Sequence, residues 1–190
     1  MKDNHDIKNI KRCIWCNLSN PLYVDYHDNE WGVLRKDDQY LFEMLILESF
    51  QAGLSWECIL NKRENFRKAY DNFDLDLVCS YGEDKILELI SNPGIVRNKL
   101  KIKASISNAR IFKEIVAEYG NFWNYLNQFI HDEIIYEEHQ VTNDLSDEIS
   151  KDLKKLGMKF VGSTIIYAYL QAIGVINSHE EGCFKFWKTK

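Results

Sequence analysis

Five cysteine and histidine side chains stand at spacings that suit a metal ion. Cys13 and Cys16 form a C-x-x-C pair, His27 follows them, and His179 and Cys183 form an H-x-x-x-C pair near the other end. Zinc prefers four thiolate or imidazole ligands in a tetrahedron, and any four of these five residues offer such a set. Because the two groups lie far apart in the chain, the metal would join the N-terminal and C-terminal segments and act structurally.

Two other interpretations of these residues stay open at this point. The C-x-x-C pair is also typical of thiol oxidoreductases, although those proteins place it in a βαβ setting that the surrounding sequence does not suggest. Alternatively, the thiols and imidazoles are unrelated to one another. The chain has five cysteines, and this odd number argues against a disulfide framework.

A second candidate for chemistry is the carboxylate of Glu48. Leu41, Leu45, Glu48 and Ala52 share one stripe of a predicted helix, so the acid interrupts a face that is otherwise apolar. A buried carboxylate without a partner is costly. The sequence therefore predicts either an internal hydrogen bond or ion pair at Glu48, or a carboxylate at the floor of a ligand pocket.

Aromatic residues flank this acid on both sides in the sequence. The segment "YHDNEWG" contributes Tyr26 and Trp31, and "GLSW" ends with Trp56, eight residues after Glu48. Rings that stack and a carboxylate that accepts N–H groups together suit a flat ligand that is electron-poor or cationic.

Composition limits the class of protein. The 190 residues are 45% hydrophobic and 13% aromatic, which excludes a disordered chain. No apolar run approaches the roughly 20 residues of a membrane span, and the N-terminus lacks the apolar core of a signal peptide, so we expect a cytoplasmic protein without membrane contact. The net charge of −5 argues weakly against nucleic acid. Charge is segregated, however: residues 97–113 are basic and residues 132–152 are mostly acidic, and two solvated faces would also explain this pattern.

Helical patterns dominate the chain, and strand-like alternation is sparse. We therefore expect an all-α protein. Helices are predicted over 37–53, over 55–70, in two pieces over 74–91, in one long basic helix ending at Gly120, over 121–130, and in two pieces over 146–174.

Long blocks of the sequence resemble one enzyme family. "RCIW", "PLYVDYHDNEWG", "LFEMLILESFQAGLSW", "KRENFRKAY", "PGIVRNKLKI" and "KKLGMKFVGSTIIYAYLQAIGVINSH" occur in the order found in the bacterial type I 3-methyladenine-DNA glycosylases. The resemblance runs from about Lys11 to Cys183. It implies a compact helical bundle of the helix-hairpin-helix DNA glycosylase superfamily, with a zinc joining the terminal segments. We expect one domain over 11–190, preceded by a disordered extension over 1–10.

The resemblance assigns roles to the candidate metal ligands. The family's zinc ligands fall on Cys13, His27, His179 and Cys183, which leaves Cys16 as a bystander.

The resemblance also assigns the pocket. The recognition carboxylate falls on Glu48 and the stacking rings on Tyr26 and Trp56, with Tyr23 adding to the wall. Leu54 lies in the loop that faces the gap in the duplex, and it is the candidate wedge. Glu48 is expected to read the N–H edge of the base first, and to support the reaction only secondarily.

The predicted hairpin departs from the superfamily pattern. "PGIVRNK" has Gly94 but carries Val96 where a second glycine would stand, and the type I family shares this departure. Phosphate is still expected there, at free N–H groups of a helix start that is backed by Arg97, Lys99 and Lys101.

The function that this resemblance implies is hydrolysis of the N-glycosidic bond of 3-methyladenine in double-stranded alkylated DNA. No lysine occupies a matching nucleophile position, so we expect a monofunctional enzyme that leaves the strand intact and acts as a monomer. The alternative is a non-catalytic DNA- or nucleotide-binding module whose terminal segments are joined by zinc. In that module Glu48 would have only an internal bonding partner and no ligand.

Overall fold

The computed structural model describes residues 10–186, and more than half of these residues are helical. The predicted all-α class is confirmed, and residues 1–9 of the expected extension lie outside the described range. The helices are α1 Pro21–Asn29, α2 Asp38–Gln51, α3 Trp56–Leu60, α4 Arg63–Ala69, α5 Leu75–Ser80, α6 Glu83–Ser91, α7 Lys99–Tyr119, α8 Phe122–Ile130, α9 Asp144–Lys155 and α10 Ser163–Ala172. None of these helices is long and apolar enough to cross a bilayer.

Helix α2 forms the centre of the core. Its residues 41–50 are all buried, as expected for a segment that is apolar nearly all round. Asp37 caps its start by accepting a hydrogen bond from the backbone N–H of Tyr40. Because α2 contacts α3, α7, α8 and α10, any polar side chain on it is held firmly within the core.

The segment "YHDNEWG" lies at the end of α1, a helix that the sequence did not suggest. Asn20 caps this helix by accepting from the N–H of Leu22, and Pro21 occupies its first position. The chain then turns through Gly32, where φ is +72° and an added Cβ would lie 2.9 Å from the His179 ring. Glycine is therefore required at this turn, which brings the end of α1 against the C-terminal segment.

The helix predicted over 55–70 is divided in two. Ser55 caps α3 as expected, but the backbone tightens after Leu60, where the N–H of Lys62 bonds to the carbonyl of Ile59. The other predicted breaks are confirmed. The basic helix is continuous as α7, from the cap at Asn98 to Gly120, where φ is +85°.

Helices α6 and α7 pack together as a hairpin that is joined by residues 92–98. The side chain of Asn92 accepts from the N–H of Gly94 at 2.8 Å, which closes the turn. A Cβ at Gly94 would lie 3.1 Å from Asn65 of α4, so this turn packs closely on the neighbouring helix.

Backbone contacts join the two ends of the described chain. The N–H of Phe184 donates to the carbonyl of Lys11 at 2.8 Å. A two-residue parallel pair, β1 (Ile135–Tyr136) with β2 (Ile176–Asn177), also fixes the loop after α8 beside the C-terminal segment. This pair was not predicted, because two residues are too few for a periodic pattern.

A candidate base pocket and metal centre

A cavity of about 280 Å³ opens between α1, α2, α3, α10 and the C-terminal segment. Five aromatic rings form much of its wall, and two carboxylates face it. The rings are Trp15, Tyr23, Tyr26, Trp31 and Trp56, the carboxylates are Glu48 and Glu180, and the remaining lining residues are Gln51, His139, Ala168, Gln171 and Ser178. The cavity thus brings together every pocket residue that the sequence suggested.

Glu48 lies in this cavity without an ionic partner in the described range. Its residue is 3% exposed, and its Oε2 atom has no hydrogen-bond partner. Burial alone raises the pKa of Glu48 to about 8, so the carboxyl group holds a proton at neutral pH. Among residues 10–186 no ion pair forms at Glu48, contrary to the first alternative, and its Oε2 faces the cavity side without a partner there.

The neighbouring acids show that this isolation is specific to Glu48. Arg63 donates from Nη1 to Glu30 at 2.7 Å and from Nε to Glu43 at 2.6 Å, and both of these carboxylates lie near the same core. Arg12 holds Asp28 through two hydrogen bonds of 2.8 and 2.6 Å. The fold supplies a cation to each of these acids and none to Glu48.

The aromatic rings around the cavity form two groups, one of Tyr26 with Trp56 and one centred on Trp15. Tyr26 and Trp56 lie with ring centroids 5.2 Å apart and planes inclined at 43°. Trp15 lies 5.4 Å from Tyr23 and 4.7 Å from Trp31. Sequence reasoning did not place Trp15 in the pocket, although its position between the two cysteines of the C-x-x-C pair makes it a neighbour of the chain-end junction.

Three of the predicted metal ligands meet behind these rings. One ligand atom from each of Cys13, His27 and Cys183 lies within 4.8 Å of the other two, and all three residues are buried. The Cys183 sulfur is 3.5 Å from Nε2 of His27. The ring of His179 lies against that of His27, with centroids 5.2 Å apart, and its Nε2 atom is buried without a partner.

Both imidazoles are oriented for metal binding by their neighbours. His27 Nδ1 lies 2.8 Å from the Asp28 carboxylate, and His179 Nδ1 lies 2.9 Å from the side-chain oxygen of Asn177. These acceptors favour a proton on each Nδ1, so that each Nε2 carries a lone pair. The lone pair of His27 faces the Cys183 sulfur and accepts a hydrogen bond of 3.3 Å from the backbone N–H of Cys13. Burial also lowers the pKa of His179 to about 4, so its ring is neutral.

Cys16 is the one candidate ligand that points elsewhere. Its sulfur lies 3.8 Å from the carbonyl oxygen of Tyr23, away from the three-ligand cluster. Burial raises the pKa of its thiol, which makes it a poor nucleophile and weakens the oxidoreductase interpretation. The chemistry of Cys13, His27 and Cys183 fits zinc, and His179, whose buried Nε2 has no partner among the described residues, lies beside them as the fourth predicted ligand.

Most of the predicted DNA-contacting residues share one surface. Leu54, on the turn between α2 and α3, is 42% exposed and lines a groove with residues 93–97 of the hairpin turn. Arg97 and Lys99 are exposed beside it. The expected free N–H groups at the start of α7 are partly occupied, because Asn98 accepts from the N–H groups of residues 100 and 101.

The side chain of Lys101 does not reach that surface, and this is a correction to the sequence prediction. The residue is 7% exposed, and its Nζ donates to the carbonyls of Phe50 and Ala52 at 2.8 and 2.6 Å. Burial lowers its pKa. Lys101 therefore stabilises the C-terminal end of α2, where unpaired carbonyls and the helix dipole attract a cation, and it is not placed to contact phosphate.

The helical fold and its aromatic pocket agree with comparisons to known proteins. The methyladenine glycosylase family model matches residues 15–186. The chain is 41% identical over 180 residues to DNA-3-methyladenine glycosylase 1 of Escherichia coli, covering 92% of this chain and 96% of that protein. It is 34% identical to DNA-3-methyladenine glycosylase of Haemophilus influenzae, covering 90% and 96% of the two chains.

Solved structures give the same result. A crystal structure of 3-methyladenine DNA glycosylase I superposes with a TM-score of 0.87 at 41% identity, covering 92% of this chain and 99% of that one. A variant of 3-methyladenine DNA glycosylase I in complex with 3-methyladenine gives a TM-score of 0.85 at 30% identity, covering 90% and 95%. The fold and site are thus those of a helical base-excising glycosylase. The chain belongs to the methyladenine glycosylase family.

Proposed function

We propose that this protein hydrolyses the N-glycosidic bond of 3-methyladenine in alkylated double-stranded DNA. The observation that supports this most directly is the unpaired carboxyl of Glu48 at the floor of an aromatic cavity. Relatives that share at least 34% of their residues with this chain are named as enzymes of this activity. The non-catalytic alternative has Glu48 bonded internally, whereas among the described residues its Oε2 has no partner.

Recognition rests on the positive charge of the lesion. Methylation at N3 makes the base cationic, and Tyr26 and Trp56 present ring faces for it to stack on, at roughly 0.5–2 kcal/mol per ring. Glu48 then meets the N–H groups at the edge of the base. The nucleotide must first leave the helical stack, which costs a few kcal/mol and is cheapest for a weakened pair.

Stacking selects the lesion but does not accelerate its release. As the glycosidic bond breaks, the positive charge moves from the base to the sugar, so the attraction to the rings weakens in the transition state. The base departs as a neutral molecule, and no strong general acid is needed. Rate enhancement therefore comes from positioning the expelled nucleoside beside water and from negative charge near the sugar.

We propose that DNA binds across the groove between Leu54 and the α6–α7 hairpin. Leu54 is exposed next to the pocket residue Trp56 and is suited to fill the space that the flipped nucleotide leaves. Arg97 and Lys99 add positive charge near the start of α7, so phosphate contacts there do not need a basic protein overall. Within the described residues no lysine lines the cavity, and we propose that the enzyme is monofunctional. We also propose that it acts as a monomer.

The metal site is proposed to hold a structural zinc. Cys13, His27 and Cys183 lie together, and His179 beside them would supply a fourth ligand. Four such protein ligands would leave no open position for water. The Asp28 and Asn177 side chains hold the imidazoles in the required orientation. When bound, the ion would cross-link the N-terminal and C-terminal segments. We propose a cytoplasmic location, where such thiols stay reduced.

One assay tests the activity. The purified protein is incubated with methylated duplex DNA, and the released bases and the integrity of the strand are analysed. Free 3-methyladenine with an intact abasic strand is the expected result. Binding of the DNA without base release would instead support the non-catalytic module, and strand cleavage would refute the monofunctional assignment.

A further inference from the structure

The pocket has a closed end and an open end, and each end carries one carboxylate. At the closed end, Glu48 and Tyr26 are each 3% exposed. At the open end, Glu180 is half-buried, and the neighbouring His139 has a side chain that is 82% exposed. A flipped nucleotide enters such a pocket with its base leading, so its deoxyribose stays at the open end.

Two hydrogen bonds hold Glu180 at the open end, one to its side chain and one from its backbone. Its Oε2 accepts a hydrogen bond from the backbone N–H of Ile14 at 2.6 Å, and its own N–H donates to the sulfur of Cys13 at 3.4 Å. One oxygen is thereby fixed by the N-terminal segment while the residue itself belongs to the C-terminal segment. The carboxylate is thus preorganised, with no conformational change needed when substrate arrives.

We propose that Glu180 is a catalytic residue whose carboxylate faces the deoxyribose and stabilises the positive charge that develops on it. This inference rests on the proposed function. Glu180 is the one carboxylate besides Glu48 that lines the cavity within the described residues. Its half-buried position places it at the open end, where the sugar would lie, whereas the buried Glu48 lies where the base would lie.

The proposed reaction consumes only the methylated nucleotide and one water molecule. The bond between C1′ and N9 breaks, and its electron pair stays on N9, which neutralises the methylated base. A water oxygen then forms the new bond to C1′, and the surplus proton of that water passes to solvent. Charge thus moves from the base toward the sugar, and a negative group beside the sugar is stabilising only once the bond begins to break.

The two acids therefore have separate tasks. Burial raises the pKa of Glu48 to about 8, so at neutral pH this group is protonated in the free protein and suited to hydrogen bonding at the base edge. Because Glu48 lies at the closed end of the pocket beside the base, negative charge near the sugar has to come from a group at the open end. Glu180 is half-buried and keeps contact with solvent.

The test compares Glu180→Gln with Glu181→Gln in the full-length protein. Glutamine keeps an oxygen that accepts from Ile14 but removes the charge, and Glu181 is an exposed neighbour outside the pocket lining. Affinity for free 3-methyladenine and the single-turnover rate of base release from methylated duplex DNA are measured for each variant and for wild type. We expect E180Q to bind free base within about twofold of wild type and to release it at least about tenfold more slowly, whereas E181Q matches wild type in both.

Each outcome decides the question. If E180Q releases base as fast as E181Q and wild type, Glu180 is only a tether for the N-terminal segment, and the inference is overturned. If E180Q has a lower melting temperature than wild type, its rate is compared with that of Glu180→Asp, which keeps the charge on a shorter side chain. A faster base-release rate for E180D than for E180Q supports the inference, and equal losses of rate refute it. A wild-type protein that releases no base would instead refute the proposed function itself.

Discussion

The indole of Trp31 lies edge-on to the imidazole of His179, with ring centroids 4.7 Å apart and planes at 71°. Trp31 lines the base pocket, and His179 belongs to the predicted metal site. On the other side, Trp15 lies 5.2 Å from His27 and also lines the pocket. The metal centre and the base pocket therefore share a wall.

This shared wall predicts that metal removal weakens base binding as well as the fold. A His179→Ala variant lacks one predicted ligand, and a strong chelator removes the metal from wild type. In both cases we expect loss of zinc, a lower melting temperature and at least about tenfold weaker affinity for free 3-methyladenine. Metal analysis, calorimetry and tryptophan fluorescence report the three effects. Cys16→Ser is the matched control, because its sulfur lies outside the cluster and should leave the zinc content unchanged. A wild-type protein without zinc would show that the ligand assignment is wrong.

Replacing Glu48 with glutamine is expected to lower activity and raise stability at once. Burial raises the pKa of Glu48 from its ordinary value of 4.5 to about 8 in the folded protein. Since the unfolded chain ionises this group above about 4.5 and the folded one does not, the acid destabilises the fold increasingly from pH 4.5 to 8. At pH 7 the cost is about 3 kcal/mol. Glu48→Gln should therefore unfold at higher denaturant concentration than wild type while releasing 3-methyladenine at least about 100-fold more slowly. Unchanged activity would remove Glu48 from the pocket's function.

Binding of a cationic base should tighten as the pH rises toward 8. A positive charge beside Glu48 favours its ionised form, so the raised pKa falls on binding and a proton is released. Below pH 8 the affinity for a permanently cationic methylated purine should increase with pH, by at most about tenfold per unit, and level off above it. Titration calorimetry in buffers of different ionisation enthalpy measures the proton directly. In Glu48→Gln the affinity should not depend on pH over this range, and a flat profile for wild type would contradict the pKa assignment.

Lys99 and Lys101 are predicted to differ although they are two residues apart. Lys99 is exposed, and its replacement by alanine should reduce the slope of log affinity for DNA against log salt by about 1 without changing stability. Lys101→Met should leave that slope unchanged and lower the free energy of unfolding by about 1–3 kcal/mol, because two carbonyls at the end of α2 lose their donor. Equal salt slopes for Lys99→Ala and wild type would place the DNA on another surface.

The sequence was most informative where one local feature decides the structure. Apolar runs and caps predicted most helices, as at Asp37 and Ser55, because these signals act over a few residues. The cost of burying a lone acid was enough to single out Glu48. Lys101 was misjudged because its spacing among basic residues could not reveal that it packs against the end of α2. Glu180 was missed for the same reason, since only tertiary contact with Ile14 brings it to the pocket.

The junction of the two chain ends has a consequence for synthesis. The N–H of Phe184 donates to the carbonyl of Lys11, and the N–H of Ile14 donates to the carboxylate of Glu180. The segment around Lys11 and Ile14 therefore cannot make these hydrogen bonds until the C-terminal segment has been synthesised. A nascent chain on the ribosome can form α2 and α7 but has no means of closing the wall around Trp15. We therefore expect a chain that stops before Glu180 to leave Trp15 unanchored and to bind 3-methyladenine more weakly than the intact protein.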